Sequence, residues 1–208
     1  MPEAFNIVKR MYEKREFLMV VFSNLLAQLG ITYYVMNKTN NPDISIFPLF
    51  LAQILIILVI VFLPMPEIMK FVLFGLFSYT FGVMLSRYKK IYNSNTINTA
   101  VQGAMSVFGV MLATGVVLTA GGIRLGYKFG AFLFWSLLFL IIFRLIFVSD
   151  TTQTHKVFSF VGIILFSIYV VYDTNIILQR NYNGGFIRAS MDYYLDIVNL
   201  FSSLLGSK

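Results

Sequence analysis

The sequence predicts an all-α integral membrane protein: a bundle of seven transmembrane helices with the last, most polar helix enclosed by the others. Two observations carry this. Of the 208 residues, 58% are hydrophobic and only 12% are charged, outside the range of ordinary soluble domains. The apolar residues also fall in runs close to the ~20 needed for a spanning helix, not in the ~10-residue alternating segments of a membrane barrel. The net charge of +7 would suggest nucleic acid in a soluble protein. Here Lys and Arg lie between the apolar runs, where they set topology and meet anionic headgroups, so the expected partner is the lipid bilayer and no nucleic acid. The chain contains no Cys, which excludes disulfides, thiol nucleophiles and thiolate metal sites.

A single transmembrane domain over residues 1–208 is expected, with helices near 17–36, 46–63, 71–86, 97–120, 125–148, 157–178 and 186–205. The first has no charge from Phe17 to Met36 and follows Lys9, Arg10, Lys14 and Arg15, which favours a cytoplasmic N-terminus. No short apolar run with a cleavage site precedes it, so it is expected to act as both signal and anchor. Asn24 and Gln28 are four apart and share a face, as a hydrogen-bonded helix contact would require. Asn40-Asn41-Pro42-Asp43 makes a turn. The second helix, from Ile46 to Leu63, has Gln53 as its polar interior residue, and Pro64 and Pro66 end it.

In the third, Gly75, Ser78, Gly82 and Ser86 form a stripe of small residues that admits a close neighbour. The fourth carries Ser106, Gly109 and Ala113, so the two are expected to pack together; Gly121-Gly122 closes it. The fifth bears Arg144 about one turn from its end, a position for snorkelling to the interface and too far in depth to reach Asp173. His155 falls in the expected loop before the sixth helix, as a solvated residue. The seventh is the least apolar, with Arg188, Asp192, Asp196 and Asn199 spaced four, four and three apart. That polar stripe cannot face lipid, so the helix is enclosed or re-entrant, and enclosure is the reading adopted. With the N-terminus inside, nine Lys and Arg fall on the cytoplasmic side and six outside, the expected direction of bias.

The sixth and seventh helices each carry one buried-looking carboxylate, Asp173 and Asp196. Asp173 lies eleven residues before Gly184 and Asp196 twelve after it, so an antiparallel hairpin turning there sets them at matching depth. Carboxylates in the hydrocarbon layer are costly and face a polar interior. Two that share a site cannot both ionise easily and titrate as a unit, which is the physical basis of a pH-sensitive latch. Arg180 and Arg188, from the connecting loop, are the nearest cations and the candidate counter-charges, with Asp192 beside them on the stripe. Deprotonated, Asp173 and Asp196 would also attract a hard divalent cation, transiently, because one pair supplies too few ligands for tight binding.

The segments Ser167-Ile168-Tyr169-Val170-Val171-Tyr172-Asp173-Thr174 and Tyr194-Leu195-Asp196-Ile197-Val198-Asn199-Leu200-Phe201 resemble the two signature stretches of the Bax inhibitor-1, or transmembrane Bax inhibitor motif, family. Weaker likenesses at Lys14-Arg15-Glu16-Phe17, at Tyr92-Asn93-Ser94 through Ala100 and at Leu125-Gly126 extend it over most of the chain. The resemblance implies a seven-helix protein of internal or bacterial membranes with a passive, pH-sensitive calcium leak and, in eukaryotes and some viruses, suppression of cell death. It matches Asp173 and Asp196 to the family's paired gating aspartates. It implies a plasma-membrane location in a bacterium, and endoplasmic reticulum or Golgi in a eukaryotic cell or infected host. Phe81 stands before Gly82 where relatives often place an acid, and the loop between the last two helices is short.

Other classes fit less well. Tyr172-Asp173 matches the first motif of intramembrane aspartyl proteases, but their Gly-x-Gly-Asp motif is absent around Asp196. His155, the sole His, has no partnered Ser for hydrolysis, and no phosphate loop, metal cluster or cofactor motif is present. No enzyme and no cofactor are expected, with calcium entering only as the transported ion. The alternative kept open is a non-conducting regulator that inhibits apoptosis by binding other membrane proteins controlling cell death, the aspartates then locking the bundle. An active proton/calcium exchanger is a third reading.

Overall fold

The structure is a computed structural model, and it describes residues 12–40, 45–146, 152–179, 182 and 185–208. Among these, seven α-helices follow one another with no strand: α1 (Arg15–Lys38), α2 (Ile46–Phe62), α3 (Glu67–Leu85), α4 (Ser94–Ala120), α5 (Tyr127–Ile146), α6 (Thr152–Ile177) and α7 (Phe186–Gly206), with a 3-10 turn (Ser86–Lys90) after α3. Five of them, α1, α3, α4, α5 and α6, are long and apolar enough to cross a membrane. The sixth apolar helix, α2, is shorter at 17 residues, about 26 Å.

The helices exceed the apolar runs where charges can sit at the ends. α3 starts at Glu67, directly after Pro66, because Pro suits the start of a helix as well as the end of the one before. α6 starts at Thr152, so His155 lies in its first turns and not in a loop. The end of α4 is closed by Gly122 at φ 79°, with Ile123 N–H on the Leu118 carbonyl at 3.0 Å and Gly122 N–H on Thr119 at 3.2 Å. Only Gly takes that left-handed position without strain.

Two compact units can be described. One holds Glu16–Ile97 and Gly184–Tyr194. Here Asn24, Gln28 and Thr32, one turn apart on α1, form a buried polar ladder: Asn24 Nδ2 donates to Ser190 Oγ, Gln28 Nε2 to Asn24 Oδ1 at 3.3 Å, and Ser78 Oγ to Gln28 Oε1 at 2.8 Å. Tyr194 shares a hydrogen bond with Thr32 Oγ1, and its ring meets Phe74, Phe77 and Phe81 edge-on at centroid distances of 5.3, 5.8 and 6.2 Å. Phe81 is thus one wall of an aromatic box. The small residue Gly82 lies against α1: a Cβ there would stand 2.7 Å from the Thr32 carbonyl oxygen, whereas one on Gly75 would meet nothing within 4 Å. The contact that Gly82 makes is therefore with α1.

The other unit holds Met1–Arg15, Asn98–Asn183 and Leu195–Lys208. α5 and α6 pack through Leu133, Leu140 and Leu165, with Phe129, Tyr169 and Tyr172 around them. α6 and the C-terminal part of α7 run antiparallel at close range: a Cβ on Gly162 would come within 2.6 Å of Ser203 Oγ, and one on Gly206 would overlap Ser159 Oγ. Arg144, near the end of α5, donates to the same Ser159 Oγ at 3.3 Å, which agrees with its place by the α5–α6 connection.

Candidate functional site: the carboxylates of the last two helices

Asp173 is four residues from the end of α6, and Asp196 is ten residues into α7. Matching depth, expected from a turn at Gly184, is replaced by a stagger, because α6 stops at Ile177 and the connection is not centred on that glycine. The close pairs Gly162/Ser203 and Ser159/Gly206 fix the register. Carried two turns further, it sets Asp196 beside Tyr169, one turn before Asp173, an offset of about 6 Å along the axis. Tyr169 lies within electrostatic reach of both carboxylates. Asp196 is 4% exposed and Asp173 is half-buried, so the two acids have unequal access.

The residues flanking Asp173 are seated on glycines. Tyr172 lies against Gly130 of α5, so closely that a Cβ there would overlap its hydroxyl, and its ring packs on Phe129 at 5.9 Å. Thr174 lies against Gly115 of α4, where a Cβ would stand 2.6 Å from its own. The next residue, Asn175, donates to Thr119 Oγ1 and to the Ile123 carbonyl, both at 2.8 Å. Its Oδ1 accepts from Leu125 N–H at 2.8 Å and from Gln179 Nε2 at 3.1 Å. The triplet is therefore held on both sides, and its rotation about the α6 axis is fixed.

Of the expected counter-charges, Arg180 lies outside the described residues. Arg188 is exposed on α7, where its charge acts on Asp192 one turn away; Asp192 itself is half-buried. The less buried positions of α7 include Arg188, Asp192, Asn199 and Ser202, so most of the polar stripe coincides with the helix face that keeps some access. Asp196 departs from it and is buried.

The cation at the end of α6 is one that sequence reasoning assigned only to topology. Lys14 Nζ donates to the carbonyls of Ile177 at 2.7 Å and Gln179 at 2.6 Å, and stands 5.7 Å from the Tyr182 ring centre. A lysine satisfying terminal carbonyls suits the negative end of the helix dipole. Nothing in the spacing could have paired residues more than 160 apart; the only signal was the cation cluster before α1.

Among the described residues no group of three or more His, Asp or Glu comes together. A divalent ion at Asp173 and Asp196 would then draw on two carboxylates plus hydroxyl or carbonyl oxygens, a weak and exchangeable set.

Multiple apolar helices define a multi-pass integral membrane protein, and its last two helices carry one half-buried and one buried carboxylate. A family model described as "Inhibitor of apoptosis-promoting Bax1" matches residues 10–206, and the chain belongs to that Bax inhibitor family. It is 33% identical over 115 residues to Protein LIFEGUARD 1 of Arabidopsis thaliana, a match covering 53% of this chain and 47% of that protein. It is 28% identical over 204 residues to Bax inhibitor 1 of Schizosaccharomyces pombe, covering 91% and 74%. A shorter match, 37% over 79 residues, is to the Golgi anti-apoptotic protein of Vaccinia virus, covering 38% of this chain and 33% of that one. The match thus spans about half the length of the plant relative.

Proposed function

We propose that the chain is a pH-sensitive passive calcium leak of the Bax inhibitor-1 type, with Asp173 and Asp196 as its proton-controlled latch, and that it contributes to calcium homeostasis and suppression of cell death. The observation that carries this reading is the stagger of the two acids about Tyr169, which lies within electrostatic reach of both. Carboxylates that share a low-dielectric interior resist double ionisation, so proton uptake at one alters the other. Charged, the pair attracts calcium; protonated, it loses that attraction and can rearrange against its neighbours. The half-buried stripe of α7, with Arg188, Asp192 and Asn199, offers the polar face that a permeating ion needs.

In this reading all seven helices span the membrane as one domain, with α7 shielded from lipid by the rest. The names of the fungal and viral relatives support a role against cell death, and the word Golgi in the viral one supports an internal membrane in a eukaryotic or viral setting; in a bacterium the reading is the plasma membrane. The test is calcium flux into liposomes holding the purified protein, from about pH 5 to about pH 8, for wild type, Asp173→Asn and Asp196→Asn. Flux that varies with pH and loses that variation in either variant is the expected result. A folded wild type that passes no calcium anywhere in the range overturns the leak.

A non-conducting regulator is the second reading, favoured by the several bonds that lock α6 around Asp173, those of Lys14 and Asn175 above all. Capture of other cell-death membrane proteins by a variant lacking both carboxylates would support it.

A further inference from the structure

Within the unit of Glu16–Ile97 and Gly184–Tyr194, the N-terminal half of α1 and the first turns of α3 and α7 line an open groove of about 560 Å³. Its walls are Val20 and Ser23 of α1, Ile68 and Phe71 of α3, and Phe186 of α7, all apolar apart from Ser23. The volume lies in the range of small-molecule pockets. The amide of Asn24 at its wall is already bonded to Ser190, so the polar demand of the groove lies elsewhere.

That demand is at one end. Glu67 lines the groove, and its carboxylate pairs with Lys70 at 3.4 Å, the two side chains being 46% and 24% exposed. The carboxylate also rests by Gly185, where a Cβ would stand 3.1 Å from Oε1. Glu67 is the first residue of α3 and follows the turn at Pro64 and Pro66. In a spanning helix this is the depth of lipid headgroups. An accessible anion and cation side by side, with an apolar trough leading away, complement one ligand chemistry: a headgroup carrying both charges joined to an acyl chain.

We infer that this groove is a binding site for a single zwitterionic phospholipid, its ammonium on Glu67, its phosphate on Lys70 and one acyl chain along Val20, Ile68 and Phe71. The inference goes beyond the proposed leak and holds whether or not the chain conducts. A bilayer lipid that merely coats the surface would have no preference for a headgroup amine. An ion pair re-formed with lipid at a part-exposed site gives about a three- to fivefold preference.

The experiment is native mass spectrometry of the full chain, delipidated in detergent and given equimolar phosphatidylethanolamine and phosphatidylglycerol. Wild type is expected to retain one phosphatidylethanolamine, about three- to fivefold over phosphatidylglycerol. Glu67→Gln removes the preference, Lys70→Gln weakens retention of both lipids, and Ser23→Trp, at an exposed position, fills the groove and lowers both. Equal retention of the two lipids by wild type overturns the inference, as does an unchanged preference in Glu67→Gln. A wild-type dimer that Ser23→Trp converts to monomer with lipid retention unaltered also overturns it, because the groove would then seat a second copy.

Discussion

Asn175 Oδ1 accepts the backbone N–H of Leu125 at 2.8 Å while its Nδ2 reaches the Ile123 carbonyl at the same distance, so one side chain stands in for a strand of backbone pairing across the turn between α4 and α5. Asn175→Leu leaves these two backbone groups without partners and removes the bond that Thr119 Oγ1 accepts, although that hydroxyl still donates to the Gly115 carbonyl. A loss of about 2–4 kcal/mol is expected, since each orphaned buried group costs about 1–3 kcal/mol. Thermal unfolding in detergent measures it, with Asn175→Asp recovering only the bonds that Oδ1 accepts, from Leu125 N–H and Gln179 Nε2.

Lys14 ties the chain before α1 to the end of α6. Lys14→Met should cost about 1.5–3 kcal/mol, the range for hydrogen bonds to a charged group, and raise amide exchange in the last turn of α6. Lys14→Arg, which keeps the charge and the donors, should restore most of the protection. If Met and wild type exchange alike, the tie is of no consequence.

The seats of Tyr172 and Thr174 admit no side chain. Gly130→Val and Gly115→Val should each destabilise by about 1–3 kcal/mol, the usual cost of overpacking. Gly109→Ala, at a site where a Cβ meets nothing within 4 Å, should be tolerated. Side-by-side melting curves decide whether close approach or glycine content matters.

Tyr194 combines an aromatic box with a hydroxyl on Thr32. Tyr194→Phe should cost about 1 kcal/mol and leave the box intact, whereas Tyr194→Ala should cost about 3–5 kcal/mol. Equal losses in the two variants would mean that the hydroxyl, not the ring, holds α7 there.

Gln53 is 5% exposed on α2, and its Nε2 has no hydrogen-bond partner among the described residues. Gln53→Leu fills the same volume without a polar burden and should stabilise by about 1 kcal/mol, read as a higher melting temperature.

Helix positions were legible because the membrane imposes length and composition directly: every apolar run became a helix, and Asn24 with Gln28 formed the contact that their spacing suggested. Ends were less legible. Glu67 and His155 were left outside helices because charge and polarity mark where an apolar run stops, while a helix continues until its carbonyls find other partners. The two acids stand out by their setting in apolar sequence, yet their stagger does not, because it depends on α6 stopping at Ile177 and on glycine contacts at Gly162 and Gly206. Lys14 was seen only as one of a cluster of cations, since a contact spanning 163 residues leaves no local pattern.

The polar ladder of α1 has a consequence for biosynthesis. Asn24 is made early, but its partner Ser190 follows 166 residues later, and Thr32 waits 162 residues for Tyr194. At ribosomal rates of about 5–20 residues per second, that delay is on the order of ten to thirty seconds. Throughout it the Asn24 amide lacks the Ser190 acceptor that lipid cannot replace, while Thr32 has its own-helix bond to the Gln28 carbonyl but not its bond with Tyr194. A nascent chain is therefore recognisably unfinished until its final helix arrives, and a chain cut short before Phe186 would expose those groups permanently to membrane quality control.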